Sequence, residues 1–384
     1  MDKIYLDCAA TARYRNVDDI IVDTITNAMK NNWYNASSLY SDAINVKDKI
    51  NKCRKNIANF IGAESNEIYF TSGASESNSW VIQGWINSHV NDFKTIITTR
   101  IEHKSILECI EDNTNERLEV EYIGVNKDGL LNMFEFEEKL ADASKWNEKI
   151  LVTIHHANNE IGTIQNIKKI SELVHKYNGV IHVDATQTFG HIPINVKELG
   201  IDMMSASGHK ISPVLKGIGI LYKNGGTDIK PLIYGTQEFG LRGGTEFTYG
   251  ILGLNKALEY CDMKNIEKLC GMRDYFINLL ESKFGCKLNG HREHRLPNNI
   301  NVTFPQGVTG ESLLYSLDMC GISVGTGSAC NSKKIKKSYV LKEIGLTDDD
   351  ALRTIRITLP EDISHKDIEQ VVCEIIKVIS IIDA

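Results

Sequence analysis

Apolar positions along this chain fall into two regimes. Over the first two thirds, short β-rich runs alternate with longer helical patterns. The runs are Glu67–Thr71, Thr95–Thr98, Glu119–Ile123, Ile150–Ile154, Val180–Val183, Met203–Ala206 and Ile218–Tyr222. Near-continuous apolar strands separated by helices predict a mostly parallel sheet covered on both faces. Ile167, Ile170, Leu173 and Val174 recur at helical spacing, which predicts a helix over Ile167–Tyr177 with Gly179 as its stop. Gly250–Asp262 reads as the start of a long connecting helix. After it the order changes to helix Ile266–Phe284, strand Asn299–Phe304, helix Glu311–Met319, strand Thr354–Thr358 and helix Lys366–Ile381. That α+β order predicts a second, smaller lobe beginning near residue 255.

The 384-residue length fits two lobes, and 42% hydrophobic with 24% charged residues is ordinary globular composition. A net charge of -7 argues against direct nucleic-acid binding. No run of eighteen apolar residues appears, so no membrane-spanning helix is expected. The start, Met1-Asp2-Lys3-Ile4-Tyr5-Leu6-Asp7, lacks the apolar stretch of a secretory signal and reads as mature protein. Nine scattered cysteines without a C-x-x-C pair suggest free thiols in a reducing cytoplasm rather than a zinc site or a disulfide framework.

Chemistry concentrates at the ends of the predicted strands. Val180-Ile181-His182-Val183 runs into Asp184 and then Gln187, and Met203-Met204-Ser205-Ala206 runs into Ser207, His209 and Lys210. A lysine at one strand end and an aspartate at another is the pair that pyridoxal phosphate chemistry needs. The amine forms a Schiff base with the aldehyde, and the carboxylate keeps the pyridine nitrogen protonated. Lys210 lies between an apolar strand and Ile211, where desolvation would favour a neutral amine.

Other motifs carry weaker signals taken singly. Thr71-Ser72-Gly73-Ala74-Ser75-Glu76-Ser77-Asn78 joins a strand to a helix, so it can seat a phosphate at a helix N-terminus or simply cap the helix. His103 follows a strand and can stack on an aromatic ring, or be an ordinary polar loop histidine. In His155-His156-Ala157-Asn158-Asn159-Glu160-Ile161-Gly162 the asparagines sit where open α/β sheets bind ligands, yet they can also close a turn. A metal reading of this segment is discounted because it lacks the H-E-x-x-H pattern. Thr236–Thr245 is a Gly-rich loop with one arginine, suited to an anion or to a plain connection. Cys330 lies among small residues without apolar cover, and Lys333, Lys334, Lys336 and Lys337 favour its thiolate, so it reads as a nucleophile. Arg356 faces away from Ile355 and Ile357 on one strand and suits either a substrate carboxylate or a structural salt bridge.

Taken together, Ser207-Gly208-His209-Lys210, Asn158-Asn159-Glu160-Ile161-Gly162, Asp184-Ala185-Thr186-Gln187 and Gly327-Ser328-Ala329-Cys330 make the chain resemble cysteine desulfurases of the IscS/NifS type, almost end to end. The resemblance implies an α/β, aspartate-aminotransferase-like fold. It places a large domain with a mostly parallel seven-stranded sheet over 15–255. The small α+β domain takes 1–14 and 256–384 and carries a mobile cysteine loop at 323–337. It implies pyridoxal 5'-phosphate held at Lys210, with Asp184 on the ring nitrogen, Gln187 on the ring oxygen and His103 stacked on the ring. Ala74, Ser75, Ser207 and His209 would hold the phosphate, and Thr245 would reach the phosphate of a second copy in a homodimer. Asn159 and Arg356 would grip the carboxylate of L-cysteine. Lys210 would move the α-proton, and Cys330 would take the sulfur as a persulfide for an iron–sulfur scaffold or a tRNA-thiolation protein. A selenocysteine lyase and a catalytically silent sulfur-assembly scaffold are the alternatives. The chain departs from the family pattern at Cys8, Ala12, Ser75, Glu246-Phe247 and a longer 211–217 connection. Cys8 is expected to be passive.

Overall fold

The computed structural model describes residues 3–146, 148–261, 263–326 and 338–382. In chain order the first part contains β1 (Ile4–Leu6), α1 (Asn16–Asn31), α2 (Ser41–Ile61), β2 (Ile68–Thr71), α3 (Ala74–Ser88), β3 (Lys94–Thr99), α4 (Lys104–Asp112) and β4 (Leu118–Ile123). It continues with α5 (Met133–Lys145), β5 (Lys149–His155), α6 (Ile167–Lys176), β6 (Val180–Asp184), α7 (Val196–Leu199), β7 (Met203–Ser207), β8 (Gly219–Lys223) and α8 (Thr248–Leu258). The rest is α9 (Ile266–Phe284), β9 (Lys287–Leu288), β10 (Asn299–Thr303), α10 (Gly310–Met319), β11 (Ile322–Val324), α11 (Tyr339–Glu343), α12 (Asp348–Leu352), β12 (Thr354–Thr358) and α13 (His365–Ile382).

All seven apolar runs predicted as strands enter one sheet, in the order β2-β8-β7-β6-β5-β3-β4. Its β3, β4, β5, β6 and β7 pair in parallel, and β8 lies antiparallel to both β2 and β7. The central strands are buried along nearly their whole length, which is why they read as continuous apolar runs rather than alternating ones. Helices supply the cover through single apolar stripes. In α2 the stripe is Ala43, Val46, Ile50, Ile57 and Ile61, and Gly62 closes the helix at a left-handed φ of 73°.

A second core gathers Ile4 and Leu6 with Phe276, Ile300, Leu313, Ile355 and Val371. It covers an antiparallel sheet ordered β12-β10-β9 and a parallel pair, β1 with β11. Ile4 lies opposite Ile322 and Leu6 opposite Val324, so the beginning of the chain is built into its far end.

Three differences from the sequence pattern have physical reasons. β1, β9 and β11 are two or three residues long, too short to show a period. The helix begun near Gly250 ends at Leu258 rather than running on. After α6 the left-handed position belongs to Asn178 (φ 57°), not Gly179. Gly179 is small for another reason, since a Cβ there would sit 2.9 Å from Val174 Cγ1.

Candidate active site

One edge of the large sheet collects the chemistry. Thr71 at the end of β2 pairs with Gly219 at the start of β8, and Gly219 pairs with Ser207 at the end of β7. Asp184 at the end of β6 pairs with Ser205 on one side and His155 on the other. The register thus aligns the carboxyl ends of β2, β7, β6 and β5, the edge at which open α/β sheets bind ligands.

The β2–α3 turn forms the first wall. A Cβ on Gly219 would stand 2.5 Å from Gly73 Cα, so glycine there lets the turn press against the sheet. Helix α3 opens directly at Ala74, which is buried, with Ser75 exposed beside it. Unpaired N–H groups of a helix start and the helix dipole favour an anion. Ser207 Oγ and His209 Nδ1 share a 2.7 Å hydrogen bond at the same edge. Burial first, then the charges of Lys210 and Lys216, pull the His209 imidazole down to about 4, leaving it neutral near neutral pH.

The second wall is a buried carboxylate. Asp184 Oδ2 accepts from Asn78 Nδ2 at 2.9 Å, and Oδ1 accepts from the Thr186 N–H at 2.9 Å and from the Thr186 hydroxyl. Burial alone would raise its pKa. The Thr186 donors, His103 and Asn78 outweigh that, so the group stays ionised below the usual aspartate range. Beneath it, His182 hydrogen-bonds Thr153 Oγ1 at 2.8 Å and Ser205 Oγ at 2.9 Å, and burial brings it down to about 4.

The N-terminal segment after β1 closes over the lysine. Lys210 Nζ donates to the carbonyls of Ala9 at 2.6 Å and Ala10 at 3.0 Å, and Gln187 Nε2 donates to the same Ala9 carbonyl at 3.2 Å. His191 Nε2 lies 2.9 Å from the Lys210 carbonyl, which fixes the backbone at that residue. Lys210 is only half-buried, so the sequence overstates its desolvation.

Arg356 on β12 faces this edge from the second sheet. Its Nη2 donates to Asp7 Oδ1 at 2.7 Å and its Nη1 to the Asn159 carbonyl at 3.2 Å, while Nε is buried without a partner among the described residues. The arginine is therefore in a salt bridge and still has a donor in hand. Gly325 exchanges two backbone hydrogen bonds with Arg356, at 2.9 and 2.7 Å. A side chain there would meet Asp7 Oδ1 at 2.6 Å. Next to Asn159, Glu160 is buried and accepts from the Ser338 hydroxyl. Burial pushes its carboxyl up to about 7, against the pull of Ser338 and Arg356.

The residues present fit the cofactor expected from the sequence. An anion-seating helix start, a buried ionised carboxylate and a primary amine share one sheet edge, with the arginine opposite. Asn159 and Arg356 adjoin, as do Gln187 and Lys210 through Ala9. His103 is exposed and caps α4, joined to Asp184 only through Ser105 and Asn78. Thr245 is exposed. Cys330 lies outside the described residues. The Cys8 thiol is driven up to about 12, chiefly by burial. Sequence reasoning missed roles for Asn78 and Asp7. Asn78 had a signal, because it follows Ala74 by four residues and so shares its helix face. Asp7 had none, because its partner is 349 positions away.

Comparison with known proteins gives concordant results. The aminotransferase class-V family model matches residues 4–371. The cysteine desulfurase IscS of Dictyoglomus turgidum is 41% identical over 362 residues, covering 93% of this chain and 89% of that protein. The cysteine desulfurase IscS of Methanosarcina thermophila is 40% identical over 372 residues, 96% of this chain and 90% of its own. A solved structure described as a NifS-like protein superimposes with a TM-score of 0.89 at 31% identity, covering 99% of this chain and all of the other.

Proposed function

This chain belongs to the class-V aminotransferase family and is a pyridoxal-phosphate-dependent cysteine desulfurase, and from that premise we propose how its own residues divide the work. One juxtaposition carries the assignment: Lys210, Asp184 and the start of α3 lie along a single sheet edge, brought together by the Thr71–Gly219–Ser207 and Asp184–Ser205 pairings.

When bound, the cofactor supplies an electron sink for the charge that develops at the substrate's α-carbon. Ala74, Ser75, Ser207 and His209 would hold its phosphate, with the Ser207 hydroxyl free to donate when His209 Nδ1 carries the hydrogen of their shared bond. Asp184, ionised and fixed by Thr186 and Asn78, would hold the proton on the ring nitrogen. Gln187 would meet the ring oxygen and His103 would stack on the ring. Lys210 Nζ would be the covalent anchor and would carry the substrate's α-proton. Its present acceptors, the Ala9 and Ala10 carbonyls, keep the amine at the edge. Arg356, oriented by Asp7, and Asn159 bind the substrate carboxylate. A preorganised guanidinium needs no reorientation when the substrate arrives.

Cys330 then accepts the sulfur. A bond forms between its Sγ and the substrate sulfur, the substrate's Cβ–S bond breaks, and L-cysteine plus the thiol become L-alanine plus a persulfide. Both ends of the cysteine-bearing segment are tied near Arg356, through Gly325 on one side and through Ser338 to Glu160 on the other.

The reading extends to the lobes and partners. Residues 15–255 form the cofactor domain, and 1–14 with 256–384 form the small domain, although the large core runs on to Leu258 at the end of α8. The enzyme works as a homodimer in which exposed Thr245 reaches the second copy's phosphate. It works in the cytoplasm, where its free thiols are compatible with a reducing medium. The persulfide passes to an iron–sulfur scaffold or a tRNA-thiolation protein. Mass spectrometry after adding L-cysteine tests the assignment. A sulfur adduct on Cys330, with alanine released in equal amount, is the expected outcome. Alanine release with an unmodified Cys330 would remove the nucleophile from the scheme.

A further inference from the structure

We propose that Ser105, held by Asn78, is a positioning residue that sets the tautomer of His103 so that Nδ1 accepts and Nε2 carries the hydrogen. The inference rests on the placement of His103 at the cofactor ring.

The geometry leaves one arrangement of donors. Asn78 Nδ2 lies 2.9 Å from Asp184 Oδ2 and 2.9 Å from Ser105 Oγ. An ionised carboxylate only accepts, so the atom facing it is the amide nitrogen, and both its hydrogens are committed. The amide cannot turn over, because Oδ1 would then face a carboxylate oxygen. That constraint holds even though Asn78 Oδ1 is left buried without a partner among the described residues. Ser105 Oγ therefore receives a hydrogen from Asn78, and its own O–H is free to donate to His103 Nδ1 at 2.8 Å. The Ser105 backbone N–H, which can only donate, reaches the same Nδ1 at 3.2 Å. Two donors converge on one ring nitrogen. A neutral imidazole with an occupied acceptor at Nδ1 carries its hydrogen on Nε2.

The chain of contacts runs Asp184, Asn78, Ser105, His103. It joins the carboxylate at the end of β6 to the first turn of α4. His103 also caps α4, so its ring is fixed by the same serine whose hydroxyl sets its hydrogen. A serine at this position gives the ring a defined donor, Nε2–H, where alanine would leave only the backbone N–H.

The test compares S105A, S105T and the unaltered protein, each labelled with nitrogen-15 at histidine. Long-range nitrogen–proton spectra report the tautomer of each ring, and the His103 signal is the one absent from H103Q. In the unaltered protein His103 should be nearly all Nε2–H. S105A should show a mixed population, and S105T should restore the original one. With the cofactor bound, S105A should lower kcat for L-cysteine by roughly tenfold, leave KM within about twofold, and be rescued by S105T. An unchanged His103 spectrum in S105A overturns the inference whatever the rate does. So does a shifted tautomer with an unchanged kcat. Failure of the desulfurase reading would show instead as absent turnover in the unaltered protein, while the spectra without cofactor remain decisive for the relay.

Discussion

Replacing Glu160 by glutamine should stabilise the protein in alkaline buffer and do little in acid. Glu160 is 3% exposed, and burial brings its carboxyl to about 7 from an unfolded value near 4.5, despite the Ser338 hydroxyl and the Arg356 charge. The folded value lies above the unfolded one. Its contribution to stability is therefore fully present below pH 4.5 and is lost as pH rises through about 7. At ~1.36 kcal/mol per pH unit, the gap amounts to about 3 kcal/mol, of which about 2.5 kcal/mol disappears between about pH 5 and about pH 8.5. Glutamine keeps the acceptor for Ser338 and cannot ionise, so E160Q escapes the loss. With an unfolding entropy of roughly 2 cal/mol/K per residue, the Tm advantage of E160Q should widen by about 3 °C between those two pH values. Calorimetry of both holoenzymes in matched buffers measures it. A Tm difference that stays constant with pH would refute the reasoning, because the buried charge would then cost nothing.

Two further outcomes follow from the same geometry. Gly219→Ala places a methyl group 2.5 Å from Gly73 Cα, which forces the β2–α3 turn off the sheet. It should weaken cofactor retention by at least about tenfold, read by equilibrium dialysis, at an overpacking cost of ~1–3 kcal/mol in stability. Cys8→Ser should leave alanine production within about twofold, because a thiol driven up to about 12 is protonated and inert. Native Cys8 should accordingly resist iodoacetamide until the protein is unfolded, and rapid labelling of the folded enzyme would contradict this.

Long, buried features were the most legible in the sequence. The seven strands declare themselves because the central ones are covered on both faces, and Asp184 and Lys210 stand out as polar residues just beyond two of them. What escaped depends on distant pairing. β1 and β11 are three residues each and acquire meaning only from one another. Arg356 left two readings open from sequence, and the structure shows the salt bridge, to Asp7, while leaving Nε unpartnered among the described residues. Asn78 was visible within its motif, but its partners lie on β6 and α4, which no local pattern links to α3. Gly179 looked like a helix stop, whereas Asn178 carries the left-handed turn and Gly179 makes room for Val174.

The pairing of Ile4 with Ile322 has a consequence for biosynthesis. The residues of β1 must wait for partners made long after them. During translation the parallel sheet can assemble while the leading strand is still unpartnered, and loop closure over such a separation is slow. Nascent chains arrested before residue 322 should therefore fold their sheet yet leave the first residues open to protease.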